Sequence, residues 1–89
     1  MELHNRLDTL LNLAREMQIE IRSESLGGEG GGMCVLRGRR VLFVDTSADV
    51  ETRYEKTVGA MATLKELDGR YVPPEVREDL DRLAGRAAP

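Results

Sequence analysis

Tryptophan is absent from this 89-residue chain, and it holds one phenylalanine, two tyrosines, one histidine and one cysteine. Each scarcity removes a class of function. Surfaces that stack bases use several exposed aromatics in basic surroundings; Phe43, Tyr54 and Tyr71 are few and scattered. Positive charge is also short, with 13 basic against 16 acidic residues and a net charge of −3. That balance argues against non-specific nucleic-acid binding, which needs a clustered basic surface. The densest basic group, Arg37, Arg39 and Arg40, reads as a solvated hairpin tip. Cys34 has no partner for an internal disulfide, and one His with one Cys cannot form a Cys2His2 zinc site. His4 lies near a terminus, and Cys34 reads as a small core hydrophobe rather than a nucleophile. No apolar run approaches the roughly 18 residues that a membrane-spanning helix requires. A lone cysteine without a signal-peptide pattern fits a reducing cytoplasm. No catalytic residue, metal ligand or cofactor is assigned.

What is present is amphipathic pattern. Hydrophobic residues make up 40% and charged residues 33% of the chain, as in a globular domain. Its length suits one domain, residues 1–89. Leu3, Leu7, Leu10, Leu11, Ala14 and Met17 form one stripe at helical spacing, predicting a helix over 3–17. The period then falls to two, and Ile19 and Ile21 alternate with Glu20 and Arg22, predicting a strand over 18–24. Strands over 33–37 and 40–45 flank Gly38-Arg39, which reads as a two-residue type II′ hairpin turn. In that register Leu36 faces Val41, Cys34 faces Phe43 and Gly32 faces Asp45. Val50, Tyr54, Val58, Met61 and Leu64 or Leu67 predict a helix over 48–67, capped by Thr46 or Ser47. Gly59 inside it costs about 1 kcal/mol relative to Ala. Val76, Leu80 and Leu83 follow a Pro74 suited to a first helical turn, predicting a helix over 74–84 with a fraying end at 84–89. "REDLDR", Arg77 to Arg82, reads as a solvated helical face, and Tyr71 as a packing anchor. The expected fold is α+β, in the order α-β-β-β-α-α, with a three-stranded antiparallel meander packed against helices.

The segment Ser25 to Asp45 invites a chemical reading, because five glycines, Gly27, Gly28, Gly30, Gly31 and Gly32, fall within six positions. Phosphate loops use glycine so that backbone N–H groups can point at an anion. The P-loop pattern fails for want of a Lys, and GxGxxG fails because Met33 stands where the third glycine belongs. Both patterns also need a following helix, and here a strand follows. Glu24, Glu29 and Asp45 would repel a phosphate. Asp45 is instead expected to accept hydrogen bonds from the loop's own N–H groups. Two other readings stay open. One is simple flexibility. The other is a binding site for a small ligand, an anion or a divalent cation, built from Gly28, Gly30, Gly31, Gly32 and Asp45, with Glu24 and Glu29 as further hard-cation donors.

Two resemblances attach to quoted residues. "GGEGGGMCVLRGRRVLFVD", with "ETRYEKTVGAMATL" and "YVPPEVREDL", resembles a group of small uncharacterised bacterial proteins over residues 19–82. Its specific parts are Gly31-Gly32 with Cys34, then Gly38, then Tyr71, Pro74 and Arg77. The resemblance implies a bacterial cytosolic origin and carries no activity. "RVLFVD" with "RYEKTVGAMA" also resembles the segment of zinc-dependent peptidases that leads into their HExxH helix. That alignment sets Val58, Gly59, Ala60, Met61 and Ala62 where HExxH would stand. Both histidines and the glutamate are missing, so the likeness implies a non-catalytic remnant.

The hairpin decides the functional expectation. Its side chains alternate between faces, and both faces are apolar: Cys34, Leu36, Val41 and Phe43 on one, Met33, Val35, Leu42 and Val44 on the other. Helices can cover the first. The second calls for a partner, which makes Met33, Val35, Leu42 and Val44 the expected interface. The chain therefore reads as a non-enzymatic protein-interaction module, with a homodimer as the simplest arrangement. The rival is a monomer whose last helix wraps behind the sheet.

Overall fold

The computed structural model describes residues 1–85. Its elements are α1 (Leu3–Glu16), β1 (Glu20–Glu24), β2 (Gly32–Leu36), β3 (Arg39–Asp45), α2 (Val50–Met61), a 3-10 turn (Lys65–Gly69) and α3 (Pro74–Leu83). The α+β class and the order α-β-β-β-α-α are as expected. Of the fraying end expected at 84–89, residues 86–89 lie outside the described residues.

The sheet is not a meander. Its order is β1-β3-β2, with β3 in the middle, antiparallel to β2 and parallel to β1. The strand chemistry accounts for this order. Val41, Leu42, Phe43 and Val44 are apolar without interruption, which suits a strand with neighbours on both sides. β1 alternates Glu20, Arg22 and Glu24 with smaller residues, and charged side chains suit an edge. The connection 25–31 therefore has to cross over the C-terminal end of β3 to reach the far edge.

The hairpin turns one residue earlier than expected. Arg37 (φ +52°) and Gly38 (φ +78°) are its central pair, a type I′ turn, because that type needs positive φ at both positions. Leu36 thus faces Arg39, Cys34 faces Val41, Met33 faces Leu42 and Gly32 faces Phe43. Moving the turn by one residue shifts pairing by two, so the two sets of side chains stay on their separate faces.

The helices cover the face that had been given to a partner. Leu42 is fully buried and joins Leu10, Val58, Met61, Val76 and Leu80 in one core. Met33 packs against that core, and Val44 is buried. The expected interface of Met33, Val35, Leu42 and Val44 is corrected accordingly: Leu42 and Val44 are interior. Val35 alone of the four is strongly exposed, at 66%. The reason is that α1 packs on β1 while α2 packs on β2 and β3, all from this side. The other face carries half-buried Cys34 and Phe43 and exposed Leu36. Val41, on that face, is buried, at the floor of a groove lined by Glu20, Arg22, Leu36, Arg37 and Arg39.

Local chemistry sets the element ends. α1 stops in a Schellman motif, with Gln18 N–H donating to the Arg15 carbonyl and Ile19 N–H to that of Ala14, both at 2.9 Å. Gln18 occupies the left-handed position at φ +61°. Residues 18 and 19 are consumed by this cap, so β1 begins at Glu20. Asp49, rather than Thr46 or Ser47, caps α2 by accepting from Thr52 N–H at 2.8 Å. α2 ends at Met61, short of 67, and the 3-10 turn returns Leu67 to the core. Arg40 closes the open end of this layer by donating to the Met17 carbonyl and to Glu66.

Candidate functional site

Asp45 sits at the end of β3, beneath the arch of residues 25–31. Its carboxylate is nearly inaccessible, at 2% exposure, and both oxygens are filled by backbone donors. Oδ1 accepts from Leu26 N–H at 2.8 Å and Ser47 N–H at 2.9 Å. Oδ2 accepts from Gly28 N–H at 2.6 Å and Gly30 N–H at 3.0 Å. Burial alone pushes this acid's pKa up. The N–H groups of Leu26, Gly30, Ser47 and Gly28 together overcome that and hold it at about 2. The loop is thus a nest whose anion belongs to the same chain. Ser47 makes an Asx turn with Asp45, and the hydroxyls of Ser25 and Ser47 bond across the base of the arch.

Glycine is required here for two reasons. Gly27 and Gly28 have φ of +88° and +93°, which lets alternate N–H groups turn inward. Gly31 (φ +112°) passes over the sheet so closely that a Cβ would lie 3.2 Å from the Phe43 carbonyl oxygen. Gly32 has entered β2 and lies opposite Phe43, not Asp45. The structure therefore brings Gly28, Gly30 and Asp45 together, and sets Gly31 and Gly32 to the side. Glu24 and Glu29 do not join Asp45: among the described residues no three His, Cys, Asp or Glu side chains are gathered as a metal site.

The segment aligned with the peptidase helix is structural. Val58, Met61 and Ala62 lie in the core, and Ala60 packs against it. Tyr71 is 81% exposed, which corrects its reading as a packing anchor. The next residue, Val72, is buried in its place. Arg77 reaches back to the carbonyls of Leu67 and Arg70.

One polar cluster was not anticipated. Tyr54 Oη donates to Asp79 Oδ2 at 2.6 Å, and Arg6 Nη1 donates to the same oxygen at 3.0 Å. Arg82 approaches the other oxygen at 3.4 Å. This ties α1, α2 and α3 together. Asp79 is thus part-buried, not a member of a solvated face. Burial pushes its acid up, but the bonds from Tyr54, Arg82 and Arg6 hold it below the ordinary carboxylate range. Burial and the Asp79 charge drive the Tyr54 phenol well above its usual value, so it stays protonated. The signal lay in the spacing: Asp79 flanks the Val76–Leu80 stripe, and a buried tyrosine hydroxyl needs an acceptor.

The remaining feature is β2. It is an edge strand, Gly-Met-Cys-Val-Leu, with no charge. In a two-residue hairpin the pair next to the turn, Leu36 and Arg39, exchanges hydrogen bonds. Bonding alternates from there, so the N–H and C=O groups of Met33 and Val35 point away from β3, to the open side. Beside that edge runs a groove of about 610 Å³ lined by Gly31, Met33, Lys56, Gly59, Ala60 and Leu83, among others. Gly59 has open space where a Cβ would stand.

No protein-family model, curated protein or solved structure matches this chain.

Proposed function

We propose that this chain is a non-enzymatic interaction module that accepts an extended polypeptide along β2. The observation that carries the reading is Val35, exposed at 66% on an uncharged edge strand. Soluble proteins usually protect such an edge with charge, proline, a bulge or a covering loop. β1 follows that practice with Glu20, Arg22 and Glu24; β2 does not. An added strand would receive backbone hydrogen bonds from Met33 and Val35, and every second side chain would enter the groove beside α2.

The loop supports this reading by what it withholds. An anionic ligand would have to displace the Asp45 carboxylate from the N–H groups of Leu26, Gly28 and Gly30. A divalent cation would have to compete with those same donors for the carboxylate oxygens.

The test is a nuclear magnetic resonance titration of the labelled chain with a peptide of sequence Gly-Met-Cys-Val-Leu-Arg, blocked at both ends. Amide shifts at Met33 and Val35, without shifts at Gly28 or Gly30, are expected. Shifts confined to the glycine loop on adding phosphate, nucleotide or magnesium, with none at β2, refute the reading.

A further inference from the structure

We propose that the strand received at β2 is the β2 of a second copy, paired antiparallel about a two-fold axis at Cys34, giving one continuous six-stranded sheet. This rests on the reading of β2 as a docking edge and names its occupant.

The alternation along β2 restricts the register. Only Met33 and Val35 offer outward N–H and C=O groups, so a self-paired strand must set an outward residue against an outward residue. Centring the axis on Cys34 places Met33 of each copy opposite Val35 of the other. Those two pairs exchange four backbone hydrogen bonds. The exposed Val35 then projects, on the helix side, toward the other copy's Met33 and the groove beside Gly59 and Ala60. An isologous contact requires each patch to complement itself, and the flanking charges meet that condition. Glu29 precedes β2 on the connecting loop and Arg37 follows β2 in the turn, both exposed. Antiparallel pairing about Cys34 sets Gly31 opposite Arg37, so the arch that carries Glu29 and the second copy's Arg37 turn lie at the same end of the seam. A parallel arrangement would instead stack Glu29 on Glu29 and Arg37 on Arg37. Centring on Val35 would put Met33 opposite Arg37 and lose an apolar pair. The same axis keeps both helical layers on one side of the sheet.

Cys34 supplies a reporter. It is unpaired within the chain and lies on the outer face. Across the axis the two Cys34 residues form a non-hydrogen-bonded pair, whose Cα atoms stand about 4.5 Å apart, within disulfide reach. Brief treatment with diamide, which takes up the two protons and two electrons released, should join two chains through Cys34.

The experiment combines light scattering on the full chain over a concentration series with that oxidation. The expected mass approaches twice the 9.9 kDa of one chain, and most of the protein is trapped as a covalent dimer. Val35→Lys and Val35→Pro should each shift the mass to the monomer and slow trapping at least tenfold, with circular dichroism unchanged. Two substitutions are used because proline removes the outward N–H while lysine leaves the backbone intact. A dimer that survives Val35→Lys overturns the proposal. So does a monomer at every concentration: if that monomer still binds the Gly-Met-Cys-Val-Leu-Arg peptide at β2, self-pairing fails and the docking reading stands. If it does not bind, both fail.

Discussion

Leu42→Ala and Val35→Ala together test which face of the sheet is core. The two residues share a face and differ in what lies above them. Leu42 has no exposed surface and packs in the main core, whereas Val35 is 66% exposed beyond the reach of the helices. Truncating a fully buried leucine removes its transfer free energy and leaves a cavity, at a cost of about 2–5 kcal/mol. A domain of this length holds roughly 5–13 kcal/mol in total. At the middle of both ranges, Leu42→Ala removes roughly 40% of the stability. Val35→Ala should cost less than about 0.5 kcal/mol in the monomer, as exposed substitutions do. Urea denaturation followed by far-ultraviolet circular dichroism, at a concentration where only monomer is present, reads both. A Leu42→Ala loss below about 1 kcal/mol, or a larger loss for Val35→Ala, would refute the face assignment.

Asp45→Asn keeps the shape of the side chain but puts an NH2 group where Gly28 or Leu26 donates, so the nest should open. Asp45 is held at about 2 in the folded chain, below its ordinary 3.8. Its contribution is complete above pH 4 and is lost as pH falls from about 4 toward 2. The urea midpoint should fall less between pH 5 and pH 3 in Asp45→Asn than in the parent, and amide exchange at Gly28 and Gly30 should quicken. An identical acid slope in both proteins contradicts the nest. Gln18→Gly relieves a left-handed non-glycine at the end of α1 and should raise stability by about 0.5–1 kcal/mol; a decrease in the melting temperature would contradict the Schellman assignment.

Periodicity carried the element order because each element buries one stripe or one face: Leu7, Leu10 and Ala14 on α1, Tyr54, Val58 and Met61 on α2. It also separated the hairpin's two faces. It did not say which face the helices take, because Met33, Val35, Leu42 and Val44 are no more apolar than Cys34, Leu36, Val41 and Phe43. That choice depends on connections made elsewhere in the chain. The strand order was written in Val41 to Val44, an apolar run that suits the centre of a sheet, but the hairpin and the assumption of a meander concealed it. The turn position was lost to a single φ, since Arg37 has no side-chain feature that announces a left-handed backbone. Asp45 was legible because an acid at a strand end beside five glycines has few other uses. Asp79 was less so, because its composition matches Glu78 and Asp81 and its place beside the Val76–Leu80 stripe is what separates it from them.

Amide hydrogen exchange along β2, measured at low and high protein concentration, tests the central claim most directly. The N–H groups of Met33 and Val35 point outward, and that of Cys34 points to β3. Protection should rise with concentration at Met33 and Val35 and stay constant at Cys34. Equal exchange at Met33 and Val35 across a hundredfold range of concentration would contradict the account.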